Sequence, residues 1–157
     1  MTAVYDKLGI NFMYPENWKL LDETSGTPHV VTLEAPDGSS TWSVHVYDKD
    51  IDQDQIFKDT LEALQETYPD VEITPLGDDE QLDQLRQVPS VDSDSVQSIE
   101  AMFYCLDFLI QARLCLVATD RHWLLVWTQA EDRDFDKQKI VFAAITVSLL
   151  QTLQKTN

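Results

Sequence analysis

The stretch from Ile99 to Leu150 limits what this chain can fold into more than any other part. Met102-Phe103-Tyr104-Cys105-Leu106-Asp107-Phe108-Leu109-Ile110 is apolar at both parities and broken only by Asp107; Leu114–Ala118 and Trp123–Trp127 have the same character. Strands that are apolar on both faces belong in the middle of a sheet that is covered on both sides. The acidic group Glu131-Asp132-Arg133-Asp134, with Asp136 close behind, suits a helix start, because carboxylates cap the first turn and face the positive end of the helix dipole. The helix is expected to begin between Asp132 and Asp134 and to run through Ile140–Val147 to about Leu153. Its second half is apolar most of the way round, as in a helix packed deep against a sheet.

A register can be written for the first of these strands. If the turn centres on Ile110, Asp107 opposes Arg113 and Cys105 opposes Cys115, all on one face. That places the two cysteines as cross-strand neighbours.

The preceding residues read as strands, one helix and one more strand. Tyr5–Leu8 is expected as a short strand. In Gly9–Pro15, Ile10, Phe12 and Tyr14 share a side, and Pro15-Glu16-Asn17 reads as a turn to a second strand over Trp18–Leu21, giving a hairpin. Val30–Ala35 is a further strand, closed by the turn signal Pro36-Asp37-Gly38-Ser39. Thr41–Tyr47 alternates, with Trp42, Val44 and Val46 facing one way and Ser43, His45 and Tyr47 the other. The front of the chain is thus expected to form an antiparallel meander. A helix fits Asp54–Tyr68, with Asp52 or Asp54 as cap and Ile56, Phe57, Leu61, Leu64 and Tyr68 on one stripe; Pro69-Asp70 stops it. Val71–Leu76 is a strand that Pro75 marks as an edge or a bulge. Gly77–Ser98 reads as a polar excursion, with a strand or turn of helix near Glu80–Gln87. The pattern is α+β with an antiparallel sheet, and neither a repeat nor a domain boundary interrupts residues 1–157.

Charge narrows the partners. The 157 residues carry 28 acids against 11 bases, a net charge of −17. That charge repels nucleic-acid backbones and anionic membrane surfaces and is compatible with a basic protein partner, although acidity also serves solubility alone. Met1–Asp6 has neither a basic region nor a long apolar run, and Ile140–Leu150 is too short to span a bilayer. A cytoplasmic location is expected. Two cysteines make no disulfide framework.

The residues that carry chemistry are sparse. His29, His45 and His122 stand apart in sequence, and neither cysteine has a close neighbour that would complete a metal site. Cys105 and Cys115 fall in central strands, where thiols are packing. With four glycines there is no phosphate-binding loop. Asp78-Asp79-Glu80 and Asp48–Asp52 lack the calcium-loop spacing. No catalytic, cofactor or metal residue is assigned. The aromatics stand out instead. Trp18, Trp42, Trp123 and Trp127 are a large payload for this length. Their simplest role is core packing; a sheet face left uncovered would turn Trp42, Tyr47, Trp123 and Trp127 into an apolar interaction surface for a peptide or helix.

Gly9-Ile10-Asn11-Phe12-Met13-Tyr14-Pro15-Glu16-Asn17-Trp18, together with the order of strands and helices, resembles the PsbP/Mog1/DcrB-like superfamily, whose domain opens on a Gly-apolar-x-apolar-x-Tyr-Pro-x-x-Trp strand motif. The resemblance implies an α/β/α sandwich around a central antiparallel sheet. It also implies a mostly non-catalytic binding role: members include extrinsic photosystem subunits, partners of a small nuclear GTPase and secretion-effector chaperones, with no shared catalytic residue. The absence of an N-terminal signal sets the chain apart from the photosystem and lipoprotein branches. The expected function is a cytoplasmic, non-enzymatic binding or adaptor protein with a basic or partly apolar protein partner and a chaperone-like role as one version. The alternative is a small-molecule binder or enzyme with a pocket between sheet and helix.

Overall fold

A computed structural model of the protein describes residues 1–7, 9–23, 26, 28–76 and 96–152. Nine strands and two helices occur among them. The strands are β1 (Thr2–Lys7), β2 (Ile10–Pro15), β3 (Lys19–Glu23), β4 (His29–Glu34), β5 (Thr41–Asp48), β6 (Glu72–Pro75), β7 (Gln97–Cys105), β8 (Phe108–Ala118) and β9 (His122–Glu131). Helix α1 is Gln53–Thr67 and helix α2 is Asp132–Thr152. Of Gly77–Ser98, where the polar excursion was expected, residues 77–95 lie outside the described residues, and Gln97 and Ser98 already belong to β7.

Seven strands form one antiparallel sheet in the order β3-β4-β5-β9-β8-β7-β6. The strands read as apolar on both faces, β8 and β9, hold the interior positions, where both faces can be buried. Pro75 sits in β6, an end strand, where its missing N–H breaks no ladder. Two cores follow from strand alternation. On one face Val31, Leu33, Trp42, Val44, Val117, Leu124 and Val126 pack under α2 through Phe142, Ile145 and Leu149. On the other face Ala101, Phe103, Leu114, Leu116 and Leu125 pack under α1 through Ile56, Phe57 and Leu64. The result is the expected sandwich, an α+β fold with helices on both faces of an antiparallel sheet.

Both helices start on acids, for the expected reason. The Asp52 carboxylate accepts the Asp54 amide at 3.1 Å as the cap of α1. Asp132 and Asp134 occupy the first turn of α2.

Two expectations are corrected. The first concerns the opening hairpin. β2 does not turn back to pair with β3. It pairs with β1 (Tyr5 opposite Phe12), in a separate two-stranded sheet, while β3 pairs with β4. Pro15-Glu16-Asn17 therefore carries the chain from one sheet to the other. The ribbon buries Tyr5, Ile10 and Phe12 beside α2; Phe12 meets Trp42 at 4.9 Å between ring centroids, and Ser148 of α2 accepts the Met13 amide at 2.9 Å. The meander thus runs through β3, β4 and β5 only.

The second correction concerns the register of β7 and β8. The turn is Leu106-Asp107, not Ile110, so Cys105 opposes Phe108, Arg113 opposes Glu100, and Cys115 opposes Ser98. Both turn residues have positive φ, 50° and 71°, as a tight two-residue hairpin of the right twist requires. Asp tolerates that backbone better than most residues. The apolar nonapeptide is therefore a strand end, a turn and a strand start, and the one polar residue marks the turn. Cys105 belongs to the α1 core and Cys115 to the α2 core. Ser98, the partner of Cys115, lies seven residues along β7 from Cys105, roughly 23 Å at 3.3 Å per residue. Neither cysteine is in a disulfide, and that separation is far beyond a disulfide's reach. Arg113 pairs with Glu100 at 3.6 Å and lies over the Phe135 ring at 5.2 Å; Asp107 takes no part.

Candidate binding groove

Among the described residues the α1 face of the sheet is only half covered. Among the described residues the α1 core takes its members from β5 through β9, and none from β3 or β4. Since Val31 and Leu33 point toward α2, alternation sends Val30, Thr32 and Glu34 to the α1 face. The register aligns Leu21, Thr32, Ser43 and Trp127 across four strands. Where the helix cover ends, a groove of about 430 Å³ opens between α1 and β5/β9. His45, Tyr47, Trp127 and Gln129 form its floor; Asp59, Thr60, Ala63, Leu64, Thr67 and Tyr68 form its wall. The spacing explains the assembly: 43, 45 and 47 share one side of β5, 127 and 129 one side of β9, and 59/60, 63/64 and 67/68 one face of α1.

The floor is aromatic and held in place. The His45 ring stacks on Trp127, with centroids 6.0 Å apart and planes at 20°. Trp127 Nε1 donates to Gln129 Oε1 at 3.2 Å. Ser43 Oγ donates to the Trp127 carbonyl at 3.4 Å and lies 3.4 Å from His45 Nε2. At the far end Tyr68 stacks on Phe103 at 4.2 Å and its hydroxyl bonds the Cys105 thiol.

Electrostatics fix what the groove can do. Burial pushes the His45 imidazolium down to about 4, so the ring is neutral at pH 7. Burial raises the Tyr47 phenol, helped by the charge of Asp59 and opposed by its hydrogen bond to Thr60. Burial raises Tyr68 as well, with Cys105 adding to it. The Ser43–His45 pair has the composition of a nucleophile and base, but an imidazole with a conjugate acid near 4 is a weak proton acceptor for an alcohol, since an effective base is poised near the working pH. Among the described residues the one charged group lining the groove is Asp59, exposed at its rim and accepting Gln55 Nε2 at 2.6 Å.

The four aromatic residues singled out from the sequence separate here. Tyr47 and Trp127 line the groove. Trp123 shares their face, further along β9, with Lys49 Nζ 4.4 Å from its ring centroid and its Nε1 donating to the Lys49 carbonyl at 3.3 Å. Trp42 does not belong with them: it points to the other face, is fully buried, and donates to Thr146 Oγ1 at 3.0 Å. Its opposite parity to Tyr47 already carried that signal. His45, Tyr68, Asp59 and Gln129 were missed, because His45 matters only through Trp127 beside it and the α1 residues only through the docking of that helix.

Two further features bear on chemistry. His29 is not isolated: Asp22 bonds His29 Nε2 at 2.9 Å and accepts the Tyr5 hydroxyl at 2.8 Å. Burial works to raise the Asp22 carboxyl, but the bonds to His29 and Tyr5 outweigh it and leave it below the usual range. The trio ties the β1–β2 ribbon to the main sheet. Among the described residues no group of three or more His, Cys, Asp or Glu could hold a metal, and no helix is long and apolar enough to cross a membrane.

No protein-family model and no curated protein matches the sequence. Solved structures do match. Cyanobacterial PsbP (CyanoP) from Synechocystis is similar with a TM-score of 0.60 and 12% identity, over 94% of this chain and 90% of that one. PA94, a protein of unknown function from Pseudomonas aeruginosa, aligns with a TM-score of 0.49 and 8% identity, over 94% and 95%. LpqN, involved in cell envelope biogenesis of Mycobacterium tuberculosis, aligns with a TM-score of 0.42 and 13% identity, over 87% and 79%. At such identities the likeness concerns the fold and carries no site residue across. The motif at Gly9–Trp18, the layered sheet and the match to CyanoP agree: this chain has the fold of the PsbP/Mog1/DcrB-like superfamily.

Proposed function

We propose that the protein is a non-enzymatic binding or adaptor protein whose site is the groove between α1 and β5/β9, and that its ligand is a segment of a protein partner. The observation that carries this reading is the groove itself. It is aromatic on its floor and open along the exposed rim residues Asp59, Ala63 and Thr67. An enclosed cavity would suit a small molecule; an open trough beside a sheet suits an extended peptide or a helix. The deepest titratable group, His45, is held neutral and weakly basic, which favours binding over acid–base catalysis. The reading takes the protein to act in the cytoplasm.

The test is a groove-filling variant. Ala63 is exposed on α1, so Ala63→Trp blocks the groove without touching either core. Wild type and variant, immobilised at physiological salt in extract of the native host, are compared by quantitative mass spectrometry. At least one protein is expected to be retained by wild type and lost from Ala63→Trp. Identical retention by the two, with the variant folded by circular dichroism, rules the groove out as the site.

A further inference from the structure

We infer that the groove recognises a cationic side chain, an arginine or lysine presented by a basic segment of the partner. This deepens the preceding reading and rests on it. Three features converge. The floor offers π faces: the stacked His45–Trp127 pair and the Tyr47 ring, with Tyr68 at the end. Faces of this kind attract a cation placed over them within about 6 Å. The imidazole is uncharged at neutral pH, so it adds to that surface and does not repel the guest. The rim supplies the counter-charge, Asp59, from the α1 turn directly above Tyr47, while Leu64 and Ala63 give the alkyl stem of such a side chain an apolar wall.

Charge complementarity extends beyond the rim. α1 and its flanks carry Asp52, Asp54, Asp59, Glu62, Glu66 and Asp70 against the single base Lys58, within a chain of net charge −17. That field draws a basic segment toward this face and raises its rate of encounter. The same face shows the interaction made internally: Lys49 Nζ sits 4.4 Å from the centroid of Trp123, which pairs with Tyr47 two residue pairs along the β5/β9 ladder from His45–Leu125. Trp127 lies four residues further along β9 on the same face, and no lysine or arginine among the described residues lines the groove around it. A basic partner would bring to Trp127 what Lys49 brings to Trp123.

The experiment titrates the full-length protein with short capped peptides while following the Trp127 indole N–H by two-dimensional NMR. The probes are Gly-Gly-Arg-Gly-Gly, the same peptide with the neutral isostere citrulline, and tetramethylammonium as a free small cation. The arginine peptide is expected to shift the Trp127 resonance saturably, and citrulline to bind about two- to fivefold more weakly, the scale of one exposed cation–π contact. Asp59→Asn, at an exposed helix position, is expected to lower the affinity for the arginine peptide severalfold and to leave citrulline unchanged. Tetramethylammonium binding more tightly than the arginine peptide would overturn the side-chain source in favour of a small organic cation. Equal affinities for arginine and citrulline, or an arginine affinity indifferent to Asp59→Asn, overturn the inference. In that event a partner still lost from Ala63→Trp leaves the binding reading standing, whereas loss of both results removes the groove altogether.

Discussion

Replacing His45 by glutamine should flatten the acid side of the stability curve. Burial without a carboxylate partner holds the His45 imidazolium down to about 4, whereas an unfolded chain binds that proton near 6.5. Between these values the unfolded state carries a proton that the folded state refuses, so stability falls as pH drops through the window and rises as it climbs. The whole window corresponds to about 3 kcal/mol, at roughly 1.36 kcal/mol per pH unit; about 2 kcal/mol of it is lost between pH 7 and pH 5. The rest of this acidic chain moves too, because protonating carboxylates relieves its self-repulsion. The informative quantity is therefore the difference between wild type and His45→Gln. Urea unfolding at pH 7, 6 and 5 measures it: wild type should lose about 2 kcal/mol more than the variant across that range. The His45 ring resonances should also report a neutral imidazole down to about pH 5. Parallel pH dependence of the two proteins, or a ring that titrates near 6.5, refutes the reasoning and with it the neutral aromatic floor.

Other consequences follow from particular contacts. Thr146→Val should cost about 1–3 kcal/mol, because it strands the fully buried Trp42 Nε1 that Thr146 accepts; the urea midpoint reads it, and an unchanged midpoint would show that Trp42 finds another acceptor. The double variant Leu106→Asn, Asp107→Gly should gain about 1–2 kcal/mol, since two side chains now occupy left-handed backbone that Asn-Gly adopts with little cost; a lower thermal midpoint would refute this. Asp22→Ala should cost about 1–2 kcal/mol by releasing Tyr5 and His29 together, and hydrogen exchange should rise in β1 and β2 before it does in β8. Mild oxidation of the monomer should form no intramolecular disulfide and leave two titratable thiols after denaturation, as two cysteines on opposite faces require; loss of both thiols in the monomer would refute it.

Much of the scaffold was legible because its signals are local. Asp52 capping α1, Pro75 on an end strand, the buried interior strands and the acid-started α2 each follow from a few neighbouring residues. The misplaced turn was a failure of a local signal read too weakly: Leu106 hid it, and only the polar Asp107 marked it. The wrongly paired β2 was of another kind. Nothing within Pro15-Glu16-Asn17 says whether the next strand returns to β2 or enters a different sheet; the burial of Ile10 and Phe12 against α2, over a hundred residues later, decides it.

The candidate site divides along the same line. By itself the sequence determined that Tyr47 and His45 share a side of their strand, that Trp123 and Trp127 share a side of theirs, and that the chain is strongly acidic, because alternation and charge are properties of the covalent order. Only the tertiary structure decided that β5 and β9, some eighty residues apart, lie side by side, that α1 stops short of β3 and β4, and that Trp42 is core while Trp127 lines a groove. Those outcomes depend on which surfaces meet when the sheet closes beneath two helices, and burial is settled by that packing over the whole chain.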